Sequence, residues 1–109
     1  MGGPDRMSVE DLRRYVLGLS GIIEGSHHAK PDFRYRNRIV VNLDETERSI
    51  TIKLDLAEQA ALLAADVDAF KQPGGWAKHG WTTIMLDLVD SEEIKELVQT
   101  ALSRMQNSV

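Results

Sequence analysis

Two stretches of this 109-residue sequence concentrate side chains able to do chemistry. The first is Trp76-Ala77-Lys78-His79-Gly80-Trp81, which holds both tryptophans of the chain around a histidine and a glycine. Tryptophan joins a large apolar face to an N–H that seeks a partner, so it suits a core rim or a pocket wall. Gly80 permits a tight turn or a close backbone approach into the segment that follows. The second stretch carries Arg34, Arg36 and Arg38 at alternate positions around a turn. If extended, these three project together, opposite Phe33, Tyr35 and Ile39. Such a rib suits a solvated hairpin that resists edge pairing, or a wing that touches phosphates. Arg48 and Lys53 extend the basic character into the neighbouring strands.

Other chemistry finds little support. His27-His28 invites a metal, but adjacent residues on a strand face opposite ways, and His79 with no acidic partner does not complete a ligand set. No structural or catalytic metal is expected. Zero cysteines remove disulfides, zinc-thiolate sites and cysteine nucleophiles together. No glycine-rich phosphate cradle is present. Gly18-Leu19-Ser20-Gly21 falls short of a nucleophile elbow by spacing, and no strand precedes it. Glu92-Glu93 and Asp66/Asp68 suit a helix start and a solvated loop. No catalytic residue and no cofactor are expected, and nothing here demands an enzyme.

The elements that must position these residues follow from periodicity. Ser8 caps a first helix with Glu10 and Asp11 in its first turn, Met7 and Leu12 forming a hydrophobic staple. Leu12, Tyr15, Val16 and Leu19 give it an apolar face, with Gly21 the better stop signal. From Ser26 to Leu54 the period becomes two, with Phe33, Tyr35, Ile39, Val41 and Leu43 in phase, then Ile50, Ile52 and Leu54. That predicts a three-stranded antiparallel meander, with Ser49, Thr51 and Lys53 on the opposite face. Asp55 and Glu58 open a second helix running to about Ala65. Val67 to Gly75 reads as irregular or a short edge strand. Trp81 to Leu88 reads as a strand, and Ser91 caps a third helix. The expected core is Leu12, Val16, Leu19, Val41, Leu43, Ile50, Ile52, Ile84, Leu86, Leu97, Val98 and Leu102.

Composition fits this picture. The chain is 42% hydrophobic and 28% charged, right for one domain with one core. Residues 8–106 form that domain, between a flexible arm at 1–7 and a tail at 107–109. Net charge is −4, but residues 27–53 carry six basic against four acidic groups, while residues 54–109 carry four against nine. A phosphate-gripping domain usually leans the other way overall, so a local basic wing is the form DNA contact would take. No run approaches the ~20 apolar residues of a spanning helix, and the start has no apolar signal region. The expectation is a cytoplasmic protein without membrane contact.

Several of these segments together resemble the MmcQ/YjbR family. They are Leu19-Ser20-Gly21 with Glu24 after it, Lys30-Pro31-Asp32-Phe33-Arg34 before a hairpin, Lys53-Leu54 entering helix two, and His79-Gly80-Trp81-Thr82 leading to Leu86-Asp87. The similarity spans about residues 8–105. It implies a two-layer α+β fold, α-β(3)-α-β(2)-α, like that of type III secretion chaperones, with helices on one face of a mainly antiparallel sheet. It also implies the family's predicted "double-wing" DNA-binding character, and no catalytic residues. By position, His27, Lys30, Phe33, Trp76, His79 and Trp81 match the family's recurrent polar–aromatic stretches; His28-Ala29 departs from them. Two readings stand. One is weak, salt-sensitive DNA contact through Arg34, Arg36, Arg38, Arg48 and Lys53. The other is a small-molecule or peptide pocket built from His27, Lys30, Phe33, Trp76, His79 and Trp81.

Overall fold

The structure is a computed structural model that describes residues 5–107. Helix α1 (Val9–Leu17) is followed by four strands, β1 (Ile22–His27), β2 (Lys30–Tyr35), β3 (Arg38–Asp44) and β4 (Ser49–Lys53). Helix α2 (Leu56–Ala65), the two-residue strand β5 (Phe70–Lys71), a 3-10 helix at Gly74–His79, strand β6 (Trp81–Met85) and helix α3 (Ser91–Gln106) complete the chain. The six strands form one antiparallel sheet in the order β1-β2-β3-β4-β6-β5. The expected α+β fold is present, with one strand more than the meander predicted. Strand β1, with only Ile22 and Ile23 apolar at its start, offers too weak an alternation to announce itself.

Helix starts follow local chemistry closely. Ser8 and Asp11 form a reciprocal capping box on α1, and Asp55 and Glu58 do the same on α2. Three details differ from expectation. Gly18, not Gly21, caps the C-terminus of α1. Asp90, not Ser91, caps α3, its carboxylate accepting from the Glu92 N–H at 3.0 Å. Beyond Met85 the chain turns into a 3-10 helix at Leu86–Leu88, so β6 ends early. The arm expected at residues 1–7 is fastened from Asp5 onward. The Asp5 N–H donates to the Asp90 carboxylate, the Asp5 carbonyl accepts from the Ser91 N–H, and Met7 is buried. Residues 1–4, 108 and 109 lie outside the described part of the expected arm and tail.

One core joins α1 and α3 to one face of the sheet: Leu12, Val16, Ile94 and Val98 meet Phe33, Val41, Leu43, Ile50, Ile52 and Ile84. Ten of the twelve expected core residues are buried, while Leu19 and Leu97 are only partly so. A β-bulge changes the phase of the central strands. The register passes from Phe33↔Val41 to Arg34↔Ile39, leaving Val40 as the extra residue. Val40 and Val41 are therefore both buried, and Ile39 leaves the core face. At the far edge, Gly80 lies against Leu54, whose N–H donates to the Gly80 carbonyl at 2.9 Å. A Cβ at position 80 would fall 1.9 Å from the Leu54 oxygen, and φ there is +95°. Only glycine fits this contact.

Candidate functional site

The sheet face turned away from the core carries a groove of about 710 Å³. That volume lies within the range of small-molecule sites. Its floor comes from alternate residues of the central strands: Asn42 on β3, Thr51 on β4 and Thr83 on β6 stand side by side in register. The Thr51 and Thr83 hydroxyls are 2.8 Å apart and share a hydrogen bond. Asn42 Oδ1 is buried with no hydrogen-bond partner among the described residues. A buried acceptor without a donor is an uncommon feature in a folded chain and marks a place for one.

Trp76 and Trp81 wall one side, joined by Met85. Trp81 opens β6, paired with Lys53, while Trp76 stands on the 3-10 helix and is 67% exposed. Gln59 fixes both. This buried side chain of α2 donates its Nε2 hydrogens to the carbonyls of Ala77, at 3.1 Å, and Trp81, at 2.9 Å. It ties the 3-10 helix to the start of β6, and nothing in its sequence neighbourhood announces that role.

The opposite side begins at His27 and Lys30, which face each other across the β1–β2 hairpin. His27 Nδ1 lies 2.7 Å from Asp32 Oδ2. Asp32 is fully buried and receives two further bonds from Arg34, Nε at 2.8 Å and Nη2 at 3.0 Å. These Arg34 bonds, more than any other interaction, hold the Asp32 carboxyl below its ordinary value. The carboxylate has room because its neighbour in register is Gly25. A Cβ on Gly25 would stand 2.9 Å from Asp32 Oδ1 and 3.3 Å from Arg34 Nε. Lys30 donates to Asp44 at 2.8 Å, which holds the Asp44 carboxyl low and the ammonium high.

Four of the six expected pocket residues thus line one groove: His27, Lys30, Trp76 and Trp81. Phe33 does not, because its phase in β2 sends it fully into the core. His79 is exposed on the 3-10 helix and is not among the lining residues. Asn42, Thr51, Thr83 and Gln59 are not candidate site residues from sequence, and Asp32 enters there only within the Lys30-Pro31-Asp32-Phe33-Arg34 segment. The only hint was the polar phase of β4 and β6, opposite Ile50, Ile52 and Ile84.

The basic residues are dispersed rather than aligned. Arg34 is folded onto Asp32, and Arg48 forms a two-pronged pair with Asp87, at 2.8 and 2.7 Å. Arg36 and Asn37 both have positive φ and make the β2–β3 turn. The Arg36 guanidinium lies over the Tyr35 ring at 5.3 Å. The expected projection of Arg34, Arg36 and Arg38 from one face does not form, since the turn interrupts the extended backbone it required. Arg36 and Arg38 are exposed at the hairpin tip, and with Lys53 they have no ion pair among the described residues. Among the described residues no three histidine or acidic side chains gather around a common point for a metal. Nor is any described helix long and apolar enough to cross a membrane.

Comparison with solved structures finds the Deinococcus radiodurans protein DR2400, a DUF419-domain protein, with a TM-score of 0.84 at 20% identity. The alignment covers 99% of this chain and 84% of that one, so the fold is shared over its whole length. No curated protein matches. The YjbR family model matches residues 17–103, from the end of α1 into the last turns of α3. With most of its length matched, including every strand and the groove they carry, the chain belongs to the YjbR family.

Proposed function

We propose that this protein is a binding module for a small aromatic ligand held in the open-face groove. Trp76 and Trp81 give it an apolar wall, and the Asn42–Thr51–Thr83 floor and the His27–Lys30 side offer it polar partners. The observation that carries this reading is the buried, unpartnered Asn42 Oδ1 in a groove walled by both tryptophans. An apolar wall gives affinity and a few placed polar groups give orientation, the usual division in ligand sites. Small size also favours the reading: the lining cations Lys30 and Lys71 are balanced by Asp44 and Glu47, so the groove has no strong field for a polyanion.

The chain's only two tryptophans both line the groove, so intrinsic fluorescence reports its occupancy. Titration with phenol, indole and adenine should quench or shift this emission, and Trp81→Phe together with Asn42→Ala should weaken the response. No change with any of the three compounds would remove the reading. DNA contact is the second reading, and Arg36 and Arg38 at the β2–β3 tip, without an ion pair among the described residues, favour it. It would be weak and salt-sensitive, because Arg34 and Arg48 are already engaged with carboxylates.

A further inference from the structure

We propose that His27 is a built proton acceptor in the groove, and that the ligand is a weakly acidic phenol-type molecule captured as its anion. The inference rests on the groove reading above and names the ligand class that reading leaves open. Three observations support it. Asp32 is fully buried yet ionised by its two bonds from Arg34. An ionised carboxylate only accepts, so the 2.7 Å contact requires the proton on His27 Nδ1. With the ring neutral, its lone pair is on Nε2, which has no protein partner among the described residues and belongs to a residue lining the groove.

Gly25 shows that the arrangement is built into the sheet. The carboxylate and the guanidinium occupy space that any other residue at the paired position on β1 would fill. Buried Asp beneath an imidazole with one free nitrogen is the layout that orients a histidine for proton transfer and stabilises the imidazolium formed. Lys30 and Arg34 on β2 and the His28 ring, 5.7 Å away in the turn, are the other titratable groups facing it. Lys30 is drawn toward Asp44.

The step balances without any further reactant. The ligand O–H bond breaks, its electron pair stays on oxygen, and the proton bonds to Nε2. A phenolate–imidazolium pair results, with Asp32 behind the imidazolium.

4-Nitrophenol tests this, because its anion absorbs visible light and its ring can quench tryptophan. Quenching reads occupancy, and visible absorption reads ionisation of the bound probe. At a pH where free 4-nitrophenol in water is still mostly neutral, the wild-type complex should hold the anion. His27→Gln, at a residue whose side chain is 38% exposed, should fold normally and still quench. Its anion fraction should fall about tenfold, the equivalent of one pKa unit. Quenching with equal anion absorption in both proteins would overturn the proposal, as would quenching without the anion in wild type. Loss of the anion in Lys30→Met but not in His27→Gln would also overturn it, assigning the effect to the ammonium. Absence of quenching would overturn the groove reading itself and this inference with it.

Discussion

Gly25 and Asp32 are partners in the β1–β2 register, and the missing side chain of the first makes room for the carboxylate of the second. Gly25 has no left-handed backbone, so its need is steric rather than conformational. Gly25→Ala should therefore destabilise the fold by about 1–3 kcal/mol, the usual cost of overpacking. Gly75→Ala, where a Cβ meets open space, should stay within about 0.5 kcal/mol of wild type. Urea unfolding of the two variants gives the comparison, and equal midpoints would remove the steric account.

Asp32 also predicts how stability depends on acid. Its folded pKa lies below the unfolded value of about 3.9. The stabilisation is therefore fully present above about pH 4 and lost as pH falls through the folded value. Asp32→Asn should cost on the order of 1.5–3 kcal/mol near neutral pH, the range for hydrogen bonds to charged groups. That deficit should shrink in acid. Unfolding free energies of both proteins across this window check this, and a constant deficit would contradict the linkage.

Gly80 tests the opposite kind of glycine requirement. With φ at +95° and the Leu54 oxygen 1.9 Å from where a Cβ would stand, Gly80→Ala meets strain and a backbone clash together. A loss on the order of 3 kcal/mol or more is expected. Because Gly80 leads directly into Trp81, the tryptophan emission of any folded variant should also shift. A Tm within a few degrees of wild type would show that the contact is softer than its geometry.

In the core, Ile94→Ala should cost about 2–5 kcal/mol, as expected for a fully buried aliphatic residue. Leu97→Ala should cost less, because that side chain keeps part of its surface in water. Denaturant midpoints in the reverse order would contradict the packing of α3.

In the DNA reading, the cations without an ion pair among the described residues set the salt dependence. Five contacts would give a log–log slope near −4.5, at about 0.9 per phosphate. With Arg34 and Arg48 engaged, Arg36, Arg38 and Lys53 allow about −2.7 at most. Anisotropy of a labelled duplex from low to physiological salt should show a slope no steeper than that, falling to about −0.9 in Arg36→Ala/Arg38→Ala. A steeper slope that depends on Arg34 would restore the aligned wing.

Local chemistry carried much of the fold into the sequence. Ser8 with Asp11, and Asp55 with Glu58, announce helix starts because a cap acts within one turn. Ile50 and Ile52 announce a strand because one face must be buried and the next residue must not. The tryptophan cluster reads as a core rim or a pocket wall for the same local reason, since both residues and Gly80 lie within one short stretch, and the structure places both tryptophans along the groove. Tertiary structure alone decided the rest. The bulge at Val40 is a register event between two strands, so it turned Ile39 outward without any mark in its own sequence. Arg34 reads as a free cation until Asp32 folds beneath it, and Asp32 can do so only where β1 places a glycine. Gln59 and Asn42 acquire meaning from carbonyls and empty space supplied by distant segments. Periodicity records which face a residue takes; which partner waits there depends on strand pairing across the sheet.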